Sequence, residues 1–262
     1  MQTGGGGRRA CAPAGDDSAR QMRDDARRQV EMDFRDRQVV VTGGAGALGS
    51  AVVAALVADG AICHVPCFDA AEADRFRLRD HPQVRVGVTG SLADEAAVTR
   101  LYAGVAPLWA SIHIAGGFAA APLREAGAMI WRQQIDMNLV SCALCCRAAL
   151  AAMAGTGGRI VNVSARAGLE WRTGAGMVAY TASKAAVAAL TVALAEEVAR
   201  DGILVNAVAP SIMDTAANRQ AMPKADFALW PKVEDVAATI AFLASSDNRV
   251  TRGAVVPVYG RS

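Results

Sequence analysis

A chain of 262 residues, 53% of them hydrophobic and with a mean hydropathy of +0.23, can bury one full core. A net charge of +2 and a pI near 8.3 give no basic excess to draw it to nucleic acid or an anionic membrane. Its aliphatic stretches are broken by charge or glycine before ~18 residues, so no membrane-spanning helix is expected, and a cytoplasmic, reduced environment is.

Residues 1–37 differ in character from the rest. Residues 4–7 are all glycine, arginines and aspartates then alternate, and no apolar segment follows Arg8-Arg9. That pattern argues against a secretory signal and predicts a disordered, charge-balanced leader. Met32, opening Met-Asp-Phe-Arg-Asp-Arg, reads as an alternative start of the functional protein.

From residue 38 strands and helices alternate. Apolar strands are expected near 38–42, 61–66, 83–88, 110–114, 159–164, 203–208 and 254–258. Helices are expected near 47–59, 92–104, 128–153, 178–200 and 233–244, with at most one or two turns near 69–78. Val187, Leu190, Leu194 and Val198 recur at helical steps as a core-facing stripe. The alternation predicts an α/β doubly wound Rossmann fold, a seven-stranded parallel sheet in a single domain over 38–262. Ligands should then bind beyond the carboxyl ends of the strands, where strand order reverses.

Two motifs carry chemistry. Val39-Val40-Val41 runs into Thr42-Gly43-Gly44-Ala45-Gly46-Ala47-Leu48-Gly49 and then an apolar helix. Without Cβ atoms such a turn can approach a diphosphate closely, and the helix start offers free N–H groups and positive dipole. Strand before and helix after make it a candidate dinucleotide site. Much later, Tyr180 and Lys184 share one helix face a turn apart. A cation so placed is expected to pull the phenol below its ordinary pKa of ~10, fitting it for proton exchange near neutral pH.

The cysteines read as inert. Neither Cys63-His64-x-x-Cys67 nor Cys142-x-x-Cys145-Cys146 has the partner histidines of a zinc pairing, and the second falls in an apolar helical stretch. They are read as small buried hydrophobes, and no metal is expected.

With these residues in place, the chain after residue 37 resembles the short-chain dehydrogenase/reductase family. Thr42-Gly43-x-x-x-Ala47-Leu48-Gly49 is similar to its cofactor turn, with alanine for the middle glycine. His113-Ile114-Ala115-Gly116 stands where the family has Asn-Asn-Ala-Gly, and Asn206-Ala207-Val208-Ala209-Pro210 precedes the substrate lid. The resemblance implies Tyr180, Lys184 and Asn138 as catalytic residues, with Asn138 holding a relay water. It also implies Gly43, Ala45, Gly46, Ala47, Leu48, Ala115, Gly116, Gly117, Tyr180, Lys184, Pro210, Ile212 and Thr215 as cofactor contacts. A homodimer or homotetramer formed through the helices of Asn138 and Tyr180 is implied too. Within the family, the cofactor turn, Ala115-Gly116-Gly117-Phe118 and the lid from Asp214 to Trp230 look most like the dihydropteridine reductase subgroup.

Several departures bear on function. The family's substrate-holding serine, usually thirteen residues before the tyrosine, is absent: that position is Ala167, and motif alignment puts Ala165 at the site. Ser164 should face the opposite side of the strand, and Thr173 is another substitute. Val65-Pro66-Cys67-Phe68-Asp69 offers no acid at the strand end, with Arg75 and Arg77 the nearest bases, so NAD and NADP both stand. His113 is read as structural, near the cofactor but outside the mechanism. Trp171 and Trp230 are read as lid packing or as stacking surfaces for a flat heterocycle. The favoured function is an NAD(P)H-dependent oxidoreductase passing hydride to a small conjugated or carbonyl substrate, a quinonoid pterin included, with Tyr180 as proton donor. The competing reading is a non-catalytic nucleotide-binding sensor or scaffold of the same fold.

Overall fold

Valine-rich runs with two-residue periodicity build the sheet, because one face of each strand must meet each of two helical layers. The computed structural model describes Met1 and residues 33–262. Seven parallel strands run β1 (Gln38–Thr42), β2 (Ile62–Cys67), β3 (Val84–Val88), β4 (Leu108–His113), β5 (Gly158–Val163), β6 (Ile203–Pro210) and β7 (Val255–Val258). Their spatial order is β3-β2-β1-β4-β5-β6-β7. Order therefore reverses between β1 and β4, where Thr42 sits beside His113. The helices are α1 (Ala47–Ala58), α2 (Ala70–Arg75), α3 (Glu95–Ala103), α4 (Ala128–Ala152), α5 (Arg166–Leu169), α6 (Val178–Glu197), α7 (Ala216–Ala221) and α8 (Val233–Ala244).

Side-chain alternation sorts the core into two clusters. Val39 and Val41 join α1 and α8 on one face, while Val40, between them, joins α3, α4 and α6 on the other. Ile160 and Val161 divide in the same way. The core of the expected stripe holds, with Val187, Leu194 and Val198 buried and Leu190 packed against them.

Four features depart from expectation. First, the domain begins before residue 38. Phe34 is fully buried, its N–H donates to the Asp59 carbonyl at 3.1 Å, and Asp36 N–H donates to the Gly60 carbonyl at 3.1 Å. Burying that ring contributes ~2–3 kcal/mol, enough to hold a short arm down. The rest of the expected leader, residues 2–32, lies outside the described residues. Second, α4 is interrupted by a π-turn over Asp136–Val140, a widening that no periodicity foretells. Third, α4 and α6 are long and apolar enough by composition to span a membrane, contrary to expectation, but their inner faces pack on the sheet. Fourth, short elements cover the carboxyl edge: α5, α7 and the 3₁₀ turns Trp171–Gly174 and Phe227–Leu229. Each is too short to show a helical stripe.

At the opposite, amino end of the sheet, Trp109 is the second residue of β4. The Arg37 guanidinium lies 3.6 Å from its ring centroid and that of Arg159 lies 5.1 Å away. The indole N–H donates to the Ala244 carbonyl, and Arg159 donates to the carbonyls of Ser245 and Asn248.

Candidate active site

The glycine turn after β1 has no room for side chains. Gly43 adopts φ +67°, and a Cβ there would lie 2.7 Å from the Ala115 nitrogen. A Cβ on Gly49 would overlap the Gly43 carbonyl. Gly46 caps α1 with no side-chain hydrogen bond, so among the described residues no side chain satisfies the first N–H groups of the helix. In front of them a cleft of about 540 Å³ crosses the carboxyl ends of β1, β2 and β4. A backbone cradle, free amides and a helix dipole fit the diphosphate of a dinucleotide.

Of the residues implied as cofactor contacts, Gly43, Gly46, Ala47, Leu48, Ala115 and Gly116 line this cleft. Ala45 instead packs against the core. Gly117 is drawn in by Asn138, its N–H donating to Asn138 Oδ1 and its carbonyl accepting from Nδ2, both at 3.0 Å. Pro210 ends β6, Ile212 is exposed, and the Thr215 hydroxyl caps α7 by accepting the Asn218 N–H at 3.2 Å. These three stand apart from the cleft walls, on the lid side.

Sequence reasoning missed the far wall. Phe68, Glu72, Ser91, Gln133, Asp136 and Met137 line the cleft, with Cys67 at the end of β2. Glu72 accepts the Phe68 N–H at 2.6 Å, which aims its carboxylate across the end of β2. Asp69 caps α2, accepting the Glu72 N–H at 2.7 Å. Among the described residues neither lysine nor arginine lines the cleft, and Glu72 and Asp136 are its acids. Arg75 and Arg77 lie elsewhere. The signal for Glu72 was available only as an acid one turn beyond a capping aspartate.

Asn138 and Lys184 meet behind the Gly116-Gly117 loop, and Tyr180 lies one turn before the lysine on α6. A Cβ on Gly116 would sit 2.5 Å from Asn138 Oδ1 and 3.4 Å from Lys184 Nζ, so these groups surround one point. One role gains a contact and the other is corrected. Asn138 is buried and its amide is fully engaged: beyond Gly117, Nδ2 donates to Ser183 Oγ at 3.2 Å and Gln134 Oε1 at 3.4 Å. It clamps the loop after β4. Lys184, however, does not depress the phenol. Its ammonium donates to the Val163 carbonyl at 2.9 Å, and burial pushes Tyr180 up to about 12 and Lys184 down to about 8. Desolvation alone raises the phenol, which favours its protonated form at neutral pH. Among the described residues its hydroxyl has no hydrogen-bond partner, and its ring meets the exposed Phe118 edge-on at 5.0 Å.

Ala165 is buried in extended backbone at the start of α5 and carries no hydroxyl into the site. Ser164 donates to the Lys184 carbonyl at 2.8 Å, on the opposite face as expected, and Thr173 donates to the Glu170 carbonyl at 2.8 Å. Neither hydroxyl proton replaces the missing serine. Trp230 is buried against Phe227, with centroids 5.0 Å apart. Trp171 is exposed and tied to the Gly168 carbonyl. His113 stays out of the cleft, bonded to Ser111 and Asn162.

Comparison with known proteins agrees with this geometry. Residues 37–226 match the short chain dehydrogenase family. The chain is 37% identical to cis-4-hydroxycyclohexanecarboxylate dehydrogenase of Sinomonas cyclohexanicum, over 87% of this chain and 96% of that enzyme. It is 35% identical to galactitol 2-dehydrogenase of Rhizobium johnstonii, over 84% and 93% of the two chains. The structure of a short-chain type dehydrogenase/reductase from Mycobacterium ulcerans superposes with a TM-score of 0.79 at 26% identity, covering 87% of this chain and 90% of that one. None of these names a pterin. With its glycine cradle, its Tyr180–Lys184 pair and this extent of likeness, the chain belongs to the short-chain dehydrogenase family and is an NAD(P)-dependent oxidoreductase.

Proposed function

We propose that this enzyme interconverts a secondary alcohol and its ketone, and that it prefers NAD to NADP. The observation that carries the reading is the Tyr180 hydroxyl, without a hydrogen-bond partner among the described residues, on the helix of Lys184 and near the clamped Gly116-Gly117 loop, with burial favouring its protonated form. The nicotinamide cofactor, when bound, supplies or accepts the hydride. Tyr180 gives its proton to the carbonyl oxygen as negative charge develops there, and in the reverse direction its phenolate takes the alcohol proton. Lys184 places a buried cation behind this exchange, anchored to β5 through the Val163 carbonyl. Asn138 holds the loop that forms the floor. The relatives named for hydroxyl-bearing substrates support an alcohol or ketone.

The cofactor preference rests on charge. A 2′-phosphate placed past the end of β2 would face Glu72, with no lysine or arginine among the described residues lining the cleft to receive it. A ribose hydroxyl can instead donate to that carboxylate. A second substrate reading, an electron-poor heterocycle such as a quinonoid dihydropterin, is favoured by Ala165, since such a substrate needs no second donor on a carbonyl. We further propose a homodimer or homotetramer through the outward faces of α4 and α6, where Val192 of α6 is exposed; light scattering reads its mass.

Cofactor oxidation followed at 340 nm, with NADH and NADPH against cyclic ketones, polyol ketones and quinonoid dihydropterins, tests the whole reading. Turnover of ketones with NADH at least ~10-fold better than NADPH supports it. A preference for NADPH defeats the Glu72 argument, and activity confined to the dihydropterin defeats the alcohol assignment.

A further inference from the structure

The cysteines of α4 do not behave as mere apolar filling. Between that helix and the sheet, Cys142 and Cys146, one turn apart, point at His113 on β4 and Asn162 on β5, and all four side chains are buried. The two sulfurs and an imidazole nitrogen lie within 4.8 Å of one another. His113 Nδ1 is 3.5 Å from Cys146 Sγ and 4.0 Å from Cys142 Sγ. Asn162 Oδ1 is 3.3 Å from Cys142 Sγ, 3.6 Å from Cys146 Sγ and 2.8 Å from His113 Nδ1.

These lengths are close to the edges of a coordination tetrahedron. Zinc–sulfur bonds of about 2.3 Å and zinc–nitrogen or zinc–oxygen bonds of about 2.0–2.2 Å give sulfur-to-nitrogen and sulfur-to-oxygen edges of about 3.5 Å. Of these five edges the nitrogen–oxygen one must open by about half an ångström from its present hydrogen bond, and the Cys142–His113 one must close by as much, to reach the tetrahedral values. The outer groups are already in place. His113 Nε2 faces the Ser111 hydroxyl at 2.8 Å, which suits an imidazole bound through Nδ1 with its proton on the other nitrogen. Asn162 Nδ2 donates to Thr191 Oγ1 at 2.9 Å, which turns Oδ1 toward the sulfurs.

We propose that Cys142, Cys146 and His113, with Asn162 Oδ1 as the fourth donor, form a structural zinc site in the core of the domain, separate from the catalytic cleft. On binding, both thiols lose their protons to solvent and the imidazole stays neutral, its proton moving from Nδ1 to Nε2. Two thiolates balance one divalent cation, so the buried cluster carries no net charge. With every ligand buried, the ion is captured as the chain folds and not by the finished protein. The site joins β4, β5 and α4 directly behind the strand whose Val163 carbonyl holds Lys184.

The full chain is unfolded in denaturant with chelator and refolded with zinc, with cobalt(II) or with neither. The expected result is about one tightly held zinc per chain, and a cobalt form with thiolate charge-transfer and intense tetrahedral d–d bands. The metal-loaded chain should melt several degrees above the metal-free one. Cys142→Ser and His113→Asn, the second restoring the residue usual in the family and so suited to fold, should lose the bands and the melting shift. Cys145→Ala, which alters a neighbouring cysteine outside the cluster, should keep both. A wild-type chain that refolds with its normal circular dichroism but no zinc and no cobalt bands overturns the proposal. Equal metal content in wild type, Cys142→Ser and His113→Asn overturns it as well, because the ion then sits elsewhere.

Discussion

Lys184 offers the sharpest test of how this site balances charge against burial. Only 6% of the residue is exposed, and burial lowers its amine from 10.5 to about 8. Keeping the ammonium in the core therefore costs ~3 kcal/mol at neutral pH, from a shift worth ~1.4 kcal/mol per unit. Because the folded value lies below the unfolded one, the unfolded chain binds more protons between about pH 8 and 10.5. The penalty is fully present below pH 8 and is relieved as pH rises through that window. Lys184→Met keeps the stem and removes the charge, but leaves the Val163 carbonyl without its donor at a cost of ~1–3 kcal/mol. At about pH 7 the variant should thus be as stable as the wild type or up to ~2 kcal/mol more so, although inactive. Its relative advantage should shrink by ~2–3 kcal/mol by about pH 10. Tyr180, Cys63 and Cys145, all pushed up to about 12 by burial, lose folded-state stability as pH climbs, but they do so in both proteins. Urea midpoints with a common m-value across this range measure the difference. A stability difference that stays flat from pH 7 to 10 would show that the lysine is not buried as a cation and would refute the reasoning.

Tyr180→Phe should cut turnover by ~10²-fold or more while leaving the urea midpoint within error of wild type; unchanged turnover removes the tyrosine from the mechanism. Ala165→Ser adds a donor beside the reacting oxygen, so kcat/KM on a ketone should rise by ~10-fold or more if the hydroxyl is well aimed. On a quinonoid dihydropterin the same variant should be neutral or slower, and a gain on both substrates would mean that the hydroxyl acts other than on a carbonyl. Phe34→Ala should destabilise the domain by ~3 kcal/mol or more by opening a cavity behind the α1–β2 turn. A loss under ~1 kcal/mol would return residues 33–37 to a passive leader.

The strands and long helices were readable because each is dictated by local periodicity, as in Val39-Val40-Val41 or the Val187–Leu194 stripe. The glycine turn was readable for the same reason: its chemistry lies in consecutive residues. What escaped notice depends on contacts between distant segments. Glu72 sits in a short charged helix with no apolar stripe, and only the fold of β2 and β3 turns it toward the cleft. Phe34 looked like part of a polar arm until the Asp59-Gly60 turn closed over it. Cys146 and His113 are separated by a helix and a loop, so no spacing rule joins them. The direction of the tyrosine shift was misjudged from spacing alone. Proximity of a cation is visible in a sequence, whereas the desolvation that opposes it is not.

The double guanidinium stack on Trp109 has a consequence for how such a protein can diversify. Arg37, Trp109 and Arg159 fasten the roots of three neighbouring strands and, through Ser245 and Asn248, the segment leading to the last strand. All of this lies at the end of the sheet remote from Tyr180. Rigidity is thus concentrated where no substrate arrives, and the loops at the other rim inherit a frame that does not depend on them. Grafting a new lid or lengthening the segment around Trp171 becomes an exchange of fittings on a bench already bolted to the floor.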